Sequence, residues 1–212
     1  MSDSEHRPEQ APQQVQEESH FFAYLSRMKY IYRWGLMRNT RSENVQEHSL
    51  QVAMIAHALA VIGNQEFGED NDVGRVVSVA LYHDASEIIT GDLPTPVKYF
   101  REDIRDSYKA LEAHAERKIA NLLPATLRES FAGVIESARI EPEVLRLVKA
   151  ADSLSAYLKC IEERAAGNRE FRRAEEFLEQ KLDEMTDLPS VAYFREHFVA
   201  AFSLTLDDLS HD

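Results

Sequence analysis

Two histidines and two aspartates carry the chemistry that this sequence suggests. His48 lies in ENVQEHSLQVAMIAH, His83 and Asp84 adjoin in ALYHDASEIITGD, and Asp152 lies in LVKAADSLSAYL. Each sits on or beside a stripe of apolar positions that should face a core, where unpaired charge is costly and bare imidazole poorly tolerated. Two imidazoles with two carboxylates form a ligand set for a divalent cation, so the chemistry expected is metal-dependent hydrolysis.

The stripes follow from counting. Val45, His48, Val52, Ile55, Leu59 and Ile62 keep a three-four spacing that puts His48 on the buried face of a helix. Ser155, Val148 and Leu145 lie three, four and seven residues from Asp152. The run from Val76 to Ile89 (VVSVALYHDASEII) is apolar on nearly every side and reads as a central helix, with Glu87 one turn beyond the His-Asp pair.

The elements that must position these residues are all helical. Residues 1–18 are polar and rich in Gln, Glu and Pro, which predicts a disordered tail and leaves 19–212 as one domain. Ser19 is placed to cap a helix carrying Phe21, Leu25, Met28 and Tyr32, and Ser42 to cap the His48 helix. GNQEFGEDND reads as a polar turn, and TGDLPTP as a break after the central helix. Phe100 to Leu122 keep helical spacing up to Pro124, and Leu127, Phe131 and Val134 mark another helix. Pro142 opens the Asp152 helix. Phe171 to Met185 and a stretch from about Ser190 supply the last two. No strand alternation and no repeat is found, so the fold class is all-α.

Composition narrows the setting. A chain of 212 residues with 44% hydrophobic content can bury a sizeable core. A net charge of −13 argues against polymeric nucleic acid or an anionic membrane as partner, though not against a small phosphorylated substrate. The single cysteine, Cys160, excludes an internal disulfide, and no apolar run reaches membrane-span length; both fit a cytoplasmic protein.

An isolated His-Asp pair says little, and a second one, His211-Asp212, falls at the terminus. The pattern H…HD…D on helices, however, resembles the HD-domain phosphohydrolase superfamily. ENVQEHSLQVA, YHDASEIITGDLPTPVK, KAADSLSAYLKCIEE and HFFAYLSRMKYIYRWGLMRN together resemble its bacterial 5'-deoxynucleotidases, over essentially the whole chain from Ser19. The resemblance implies a helical bundle around a central His-Asp helix, and one divalent cation (Co²⁺, Mn²⁺, Zn²⁺, Mg²⁺ or Fe²⁺) held by His48, His83, Asp84 and Asp152. It also implies hydrolysis of deoxyribonucleoside 5'-monophosphates by water attack at that metal, in a homodimer. The alternatives are another HD-domain reaction, on a phosphodiester or an alarmone, or a metal-stabilised nucleotide-binding module without turnover.

Within that reading Glu87 orients or deprotonates the water, and Asp92 protonates the leaving 5'-oxygen or holds the same water. Arg33 grips the phosphate, since a planar guanidinium matches phosphate oxygens in pairs. Trp34 walls the sugar and excludes a 2'-hydroxyl, while Thr95, Pro96 and Lys98 border the nucleotide. His57, His114 and His197 read as structural or solvent-exposed, and EERAAGNREFRRAEEFLEQK as a solvated helical face.

Overall fold

A computed structural model of the chain describes residues 18–98 and 100–210, without the side chains of Thr95 and Pro96. The expected tail therefore lies, but for Glu18, outside the described residues, as does His211-Asp212. The helices are α1 (Phe21–Leu25), α2 (Val45–Glu66), α3 (Val73–Tyr82), α4 (Glu87–Thr90), α5 (Thr95–Lys98), α6 (Glu102–Ala120), α7 (Ala125–Ile135), α8 (Pro142–Ala165), α9 (Arg172–Asp183), α10 (Pro189–Phe198) and α11 (Leu206–Leu209). Short 3₁₀ turns extend α1 and α10. Among the described residues the only strand-like pairing is an antiparallel bridge between Tyr32 and Asn44.

α2 packs against α3, α8 and α10, and α8 in turn against α3 and α9. Val52 and Leu59 of α2, Val76 and Val79 of α3, and Leu154 and Leu158 of α8 meet in one core that takes in Phe171, Leu178 and Val191. Each such side chain, fully buried, contributes about 1.5–3 kcal/mol. A smaller cluster joins Phe21, Ala85, Ile119, Leu123 and Ile135.

Local chemistry sets the helix ends. The cap of α2 is Asn44, not Ser42: its side chain accepts from the backbone N–H of Gln46 and Glu47 at 3.0 Å, and Glu47 reaches back to close a capping box. α2 then runs through Gly63–Glu66, so the polar turn is shorter than expected, and Asp72 caps α3. Ser19 does accept from the N–H of Phe21, at 3.3 Å. Tyr32, expected on the buried face of α1, lies beyond its end and is exposed.

The central segment is helical but not uniform. α3 ends at Tyr82, residues 83–86 turn tightly, and α4 resumes at Glu87. The bonds Ala85 N to Tyr82 O and Glu87 N to Asp84 O span three residues rather than four, and the His83 ring takes a bond to Ala80 O. The His-Asp pair therefore sits in a tightened turn between two helical pieces, which sets its two side chains differently from a regular α-helix.

Candidate active site

α2 brings His48, the turn after α3 brings His83 and Asp84, and α8 brings Asp152. One donor atom each from His48, His83 and Asp84 lies within 4.8 Å of the others. Asp152 joins from the more open side: its Oδ1 is 3.1 Å from His48 Nε2, while His48 Nε2 and His83 Nε2 stand 3.6 and 3.2 Å from Asp84 Oδ2.

The outer ring nitrogens decide what the inner ones offer. His83 Nδ1 lies 2.8 Å from Ala80 O, an acceptor only, so Nδ1 carries the proton and Nε2 keeps its lone pair. His48 Nδ1 faces Ser155 Oγ at 3.2 Å and Glu43 Oε1 at 3.4 Å. Ser155 spends its own proton on Gln51 Oε1, at 2.9 Å, and therefore accepts from His48. Both imidazoles thus turn Nε2 towards carboxylate oxygens, and each Nε2 offers a lone pair to a cation once it carries no proton. Asp84 Oδ2 and His83 Nε2 are buried without a hydrogen-bond partner among the described residues. Three ligand atoms grouped in this way, with Asp152 beside His48, fit a divalent cation with open positions, and a donor set of imidazoles and carboxylates does not single out one ion.

Charge around the group responds accordingly. Burial works against an imidazolium at His83, yet Asp84 and Asp152 carry its pKa up to about 9. Burial also opposes ionisation of Asp84, but His83 and His48 hold its pKa down at about 2. Asp152, likewise resisted by burial, is held below the usual carboxylate range by His48 and Arg33.

Glu87 opens α4 with its side chain inward, and Oε2 is buried without a hydrogen-bond partner. Burial first, then Asp84 and Asp92, push its pKa up to about 10. α4 stops at Gly91, whose φ of +73° turns the chain so that Asp92 comes back into the electrostatic reach of Asp84 and Arg33. Burial raises the Asp92 pKa, with Arg33 opposing.

Arg33 spans the same space. Its Nη1 is 3.5 Å from Asp84 Oδ2 and its Nε 3.0 Å from Glu43 Oε1. Trp34 adopts φ +58°, rare for a bulky residue, and its ring meets Phe171 edge-on at 5.3 Å. The indole N–H is buried without a partner. Lys98 bonds Glu112 Oε1 at 2.7 Å and lies over the Tyr108 ring, which ties α5 to α6. The Thr95 and Pro96 side chains lie outside the described residues.

Two features escaped the sequence reading. Glu43 touches both Arg33 and His48 and has no motif of its own; its position just before the Asn44 cap is the only signal. Glu163, read as part of a solvated face, is buried: its carboxylate pairs with Lys159 and accepts from Thr40 N (2.9 Å), Thr40 Oγ1 (2.7 Å) and Asn168 Nδ2 (2.8 Å). Lys159 also donates to Arg41 O, at 2.6 Å. His57, His114 and His197 are exposed, as expected.

A helical bundle with this His-Asp group is that of an HD-domain phosphohydrolase. The solved HD-domain phosphohydrolase of Listeria innocua superposes with a TM-score of 0.76 at 22% identity, covering 86% of this chain and 88% of that one. The cyanophage S-2L HD phosphohydrolase DatZ, solved with dA and one catalytic Zn²⁺ ion, gives 0.64 at 22% identity, covering 84% of this chain and 95% of that one. The family described as 5'-deoxynucleotidase YfbR-like matches residues 20–202, and the chain belongs to it. It is 53% identical over 195 residues to the 5'-deoxynucleotidase YfbR of Escherichia coli, covering 92% of this chain and 98% of that protein.

Proposed function

We propose that the protein is a metal-dependent 5'-deoxynucleotidase, a phosphoric monoester hydrolase that converts deoxyribonucleoside 5'-monophosphates to deoxyribonucleoside and phosphate. The observation that carries the reading is the Arg33 guanidinium beside the His48–His83–Asp84 group, in a chain 53% identical to an enzyme of that name. A guanidinium beside a cation held by imidazole and carboxylate would suit a phosphate dianion better than a neutral substrate.

His48, His83, Asp84 and Asp152 would hold the cation. Once bound, it supplies positive charge to the phosphoryl oxygens and acidifies water. Arg33 binds and orients the phosphate. Glu87, which the charge of the bound cation would draw to its carboxylate form, would take the proton of the attacking water, and Asp92 would return a proton to the leaving 5'-oxygen. Trp34 stands against the ribose and excludes a 2'-hydroxyl; its strained backbone and its seat on Phe171 support a fixed wall. Thr95, Pro96 and Lys98 belong to the loop that would border the nucleotide. The buried, unpartnered Glu87 Oε2 favours turnover over a binding module.

Residues 19–212 act as one domain in this proposal, in a cytoplasmic homodimer. No helix among the described residues is long and apolar enough to cross a membrane, and exposed Tyr30, Tyr32 and Leu36 offer apolar surface for a subunit contact.

The test is phosphate release from 5'-deoxy and 5'-ribo monophosphates, with 3'-monophosphates and a cyclic dinucleotide as controls, after chelation and with Co²⁺, Mn²⁺, Mg²⁺ or Zn²⁺ restored. Release confined to 5'-deoxy substrates, metal-dependent and abolished by Asp152→Ala, is expected. Opening of the cyclic dinucleotide, read by chromatography, with no phosphate released from any monophosphate would overturn the substrate class. Sedimentation at micromolar concentration tests the dimer.

A further inference from the structure

We propose that Glu43 is a positioning residue that couples the phosphate grip to the metal cage, an inference that rests on the deoxynucleotidase reading. Its place follows from the backbone. The Tyr32–Asn44 bridge and the bond from Arg33 N to Glu43 O, at 2.9 Å, lay Arg33 and Glu43 side by side just before the α2 cap. One carboxylate oxygen then serves two groups: Oε1 is 3.0 Å from Arg33 Nε and 3.4 Å from His48 Nδ1. The Glu43 side chain is 14% exposed and that of Arg33 13%, so both contacts act with little screening by water.

Each contact has its own consequence. On the imidazole, Ser155 Oγ accepts the Nδ1 proton at 3.2 Å and the Glu43 charge 3.4 Å away favours the same tautomer, which leaves Nε2 as a ligand. On the guanidinium, Glu43 holds the Nε edge and leaves the Nη edge facing Asp84 and the substrate space. Arg33 also feels the charges of Asp152, Asp84 and Asp92. Without Glu43 the guanidinium is free to fall onto Asp84 and Asp152, where it competes with the cation for the same oxygens. Removing one carboxylate therefore weakens metal and phosphate binding together, though Glu43 lies outside the four-ligand set.

The experiment compares wild type, Glu43→Ala and Glu43→Gln. Co²⁺ affinity is read from the visible absorption of the bound ion, and KM and kcat for dAMP are measured at saturating Co²⁺. Glu43→Ala is expected to weaken Co²⁺ binding about 10–100-fold and to raise KM by roughly tenfold, with kcat falling less. Glu43→Gln keeps the shape but not the charge, and should fall between wild type and Glu43→Ala on both readouts.

A folded Glu43→Ala protein with wild-type Co²⁺ affinity and KM would overturn the proposal. So would a loss of Co²⁺ affinity with KM unchanged, or the reverse, since the two would then be separate. If Glu43→Ala does not fold, Glu43→Asp, which keeps the charge but shortens the reach, is scored by the same two readouts. Should the wild type bind Co²⁺ and leave dAMP intact, the functional reading fails, and Co²⁺ affinity together with the affinity for inorganic phosphate, in place of KM, decides for or against Glu43.

Discussion

An unprotonated imidazole nitrogen and a carboxylate oxygen 3.1–3.6 Å apart repel one another unless positive charge lies between them. At His83, without the ion, Asp84 and Asp152 favour that charge as a proton and carry the pKa up to about 9. Metal binding at neutral pH must therefore expel it. Calorimetric titration with Co²⁺ in two buffers of different ionisation enthalpy should show about one proton released at pH 7, and affinity weakening about tenfold per unit as pH falls further below 9. Binding heats independent of the buffer would contradict this. Glu87→Gln separates chemistry from metal holding: kcat should drop about 10²–10⁴-fold while Co²⁺ affinity stays near wild type. Loss of the metal in that variant would instead make Glu87 a ligand.

At the scale of elements, α8 supports the site from behind. Lys159 and Glu163 clamp residues 40–41, in the same loop that carries Arg33 and Trp34. Glu163→Ala leaves a buried ammonium with a single acceptor and should cost about 3–5 kcal/mol, a Tm drop on the order of 10 °C by calorimetry. Acid should act on the same group. Burial opposes the charged form of Glu163, but Lys159, Thr40 and Asn168 hold its folded pKa at about 2, below the ordinary 4.5. Its contribution is full above pH 4.5 and lost as pH falls towards 2, so melting curves of Glu163→Gln should decline less over that interval than those of wild type.

Nothing local announced this clamp. A Lys and a Glu four residues apart read as a surface pair, and the groups that bury them come from more than 110 residues earlier in the chain. The α2 cap differs, because its signal was present: Asn44 with Glu47 three residues on is a capping pattern, and only Ser42, two residues earlier, obscured it. The His48 stripe was legible for the same reason that it is buried, its regular spacing. The tightened turn at His83 was not, since the shift from four-residue to three-residue hydrogen bonds has no signature in an apolar run.

For the whole molecule, the cation is also a fastener among three segments far apart in sequence. Bound at 100 times its dissociation constant it should add about 2.7 kcal/mol to stability, so chelation should lower Tm by roughly 5–10 °C and Co²⁺ should restore it. An unchanged melt would mean that the four proposed ligands hold their places without it. α8 gives this arrangement a further property. Asp152, Ser155, Lys159 and Glu163 fall at steps of three, four and four along one helix, reaching the metal ligands, the back of His48 and the loop in turn. Adding one residue between Ser155 and Lys159 would rotate everything beyond it by about 100° and advance it by about 1.5 Å. The helix thus works as a ruler, and over these twelve positions the chain has room to change its letters but not its length.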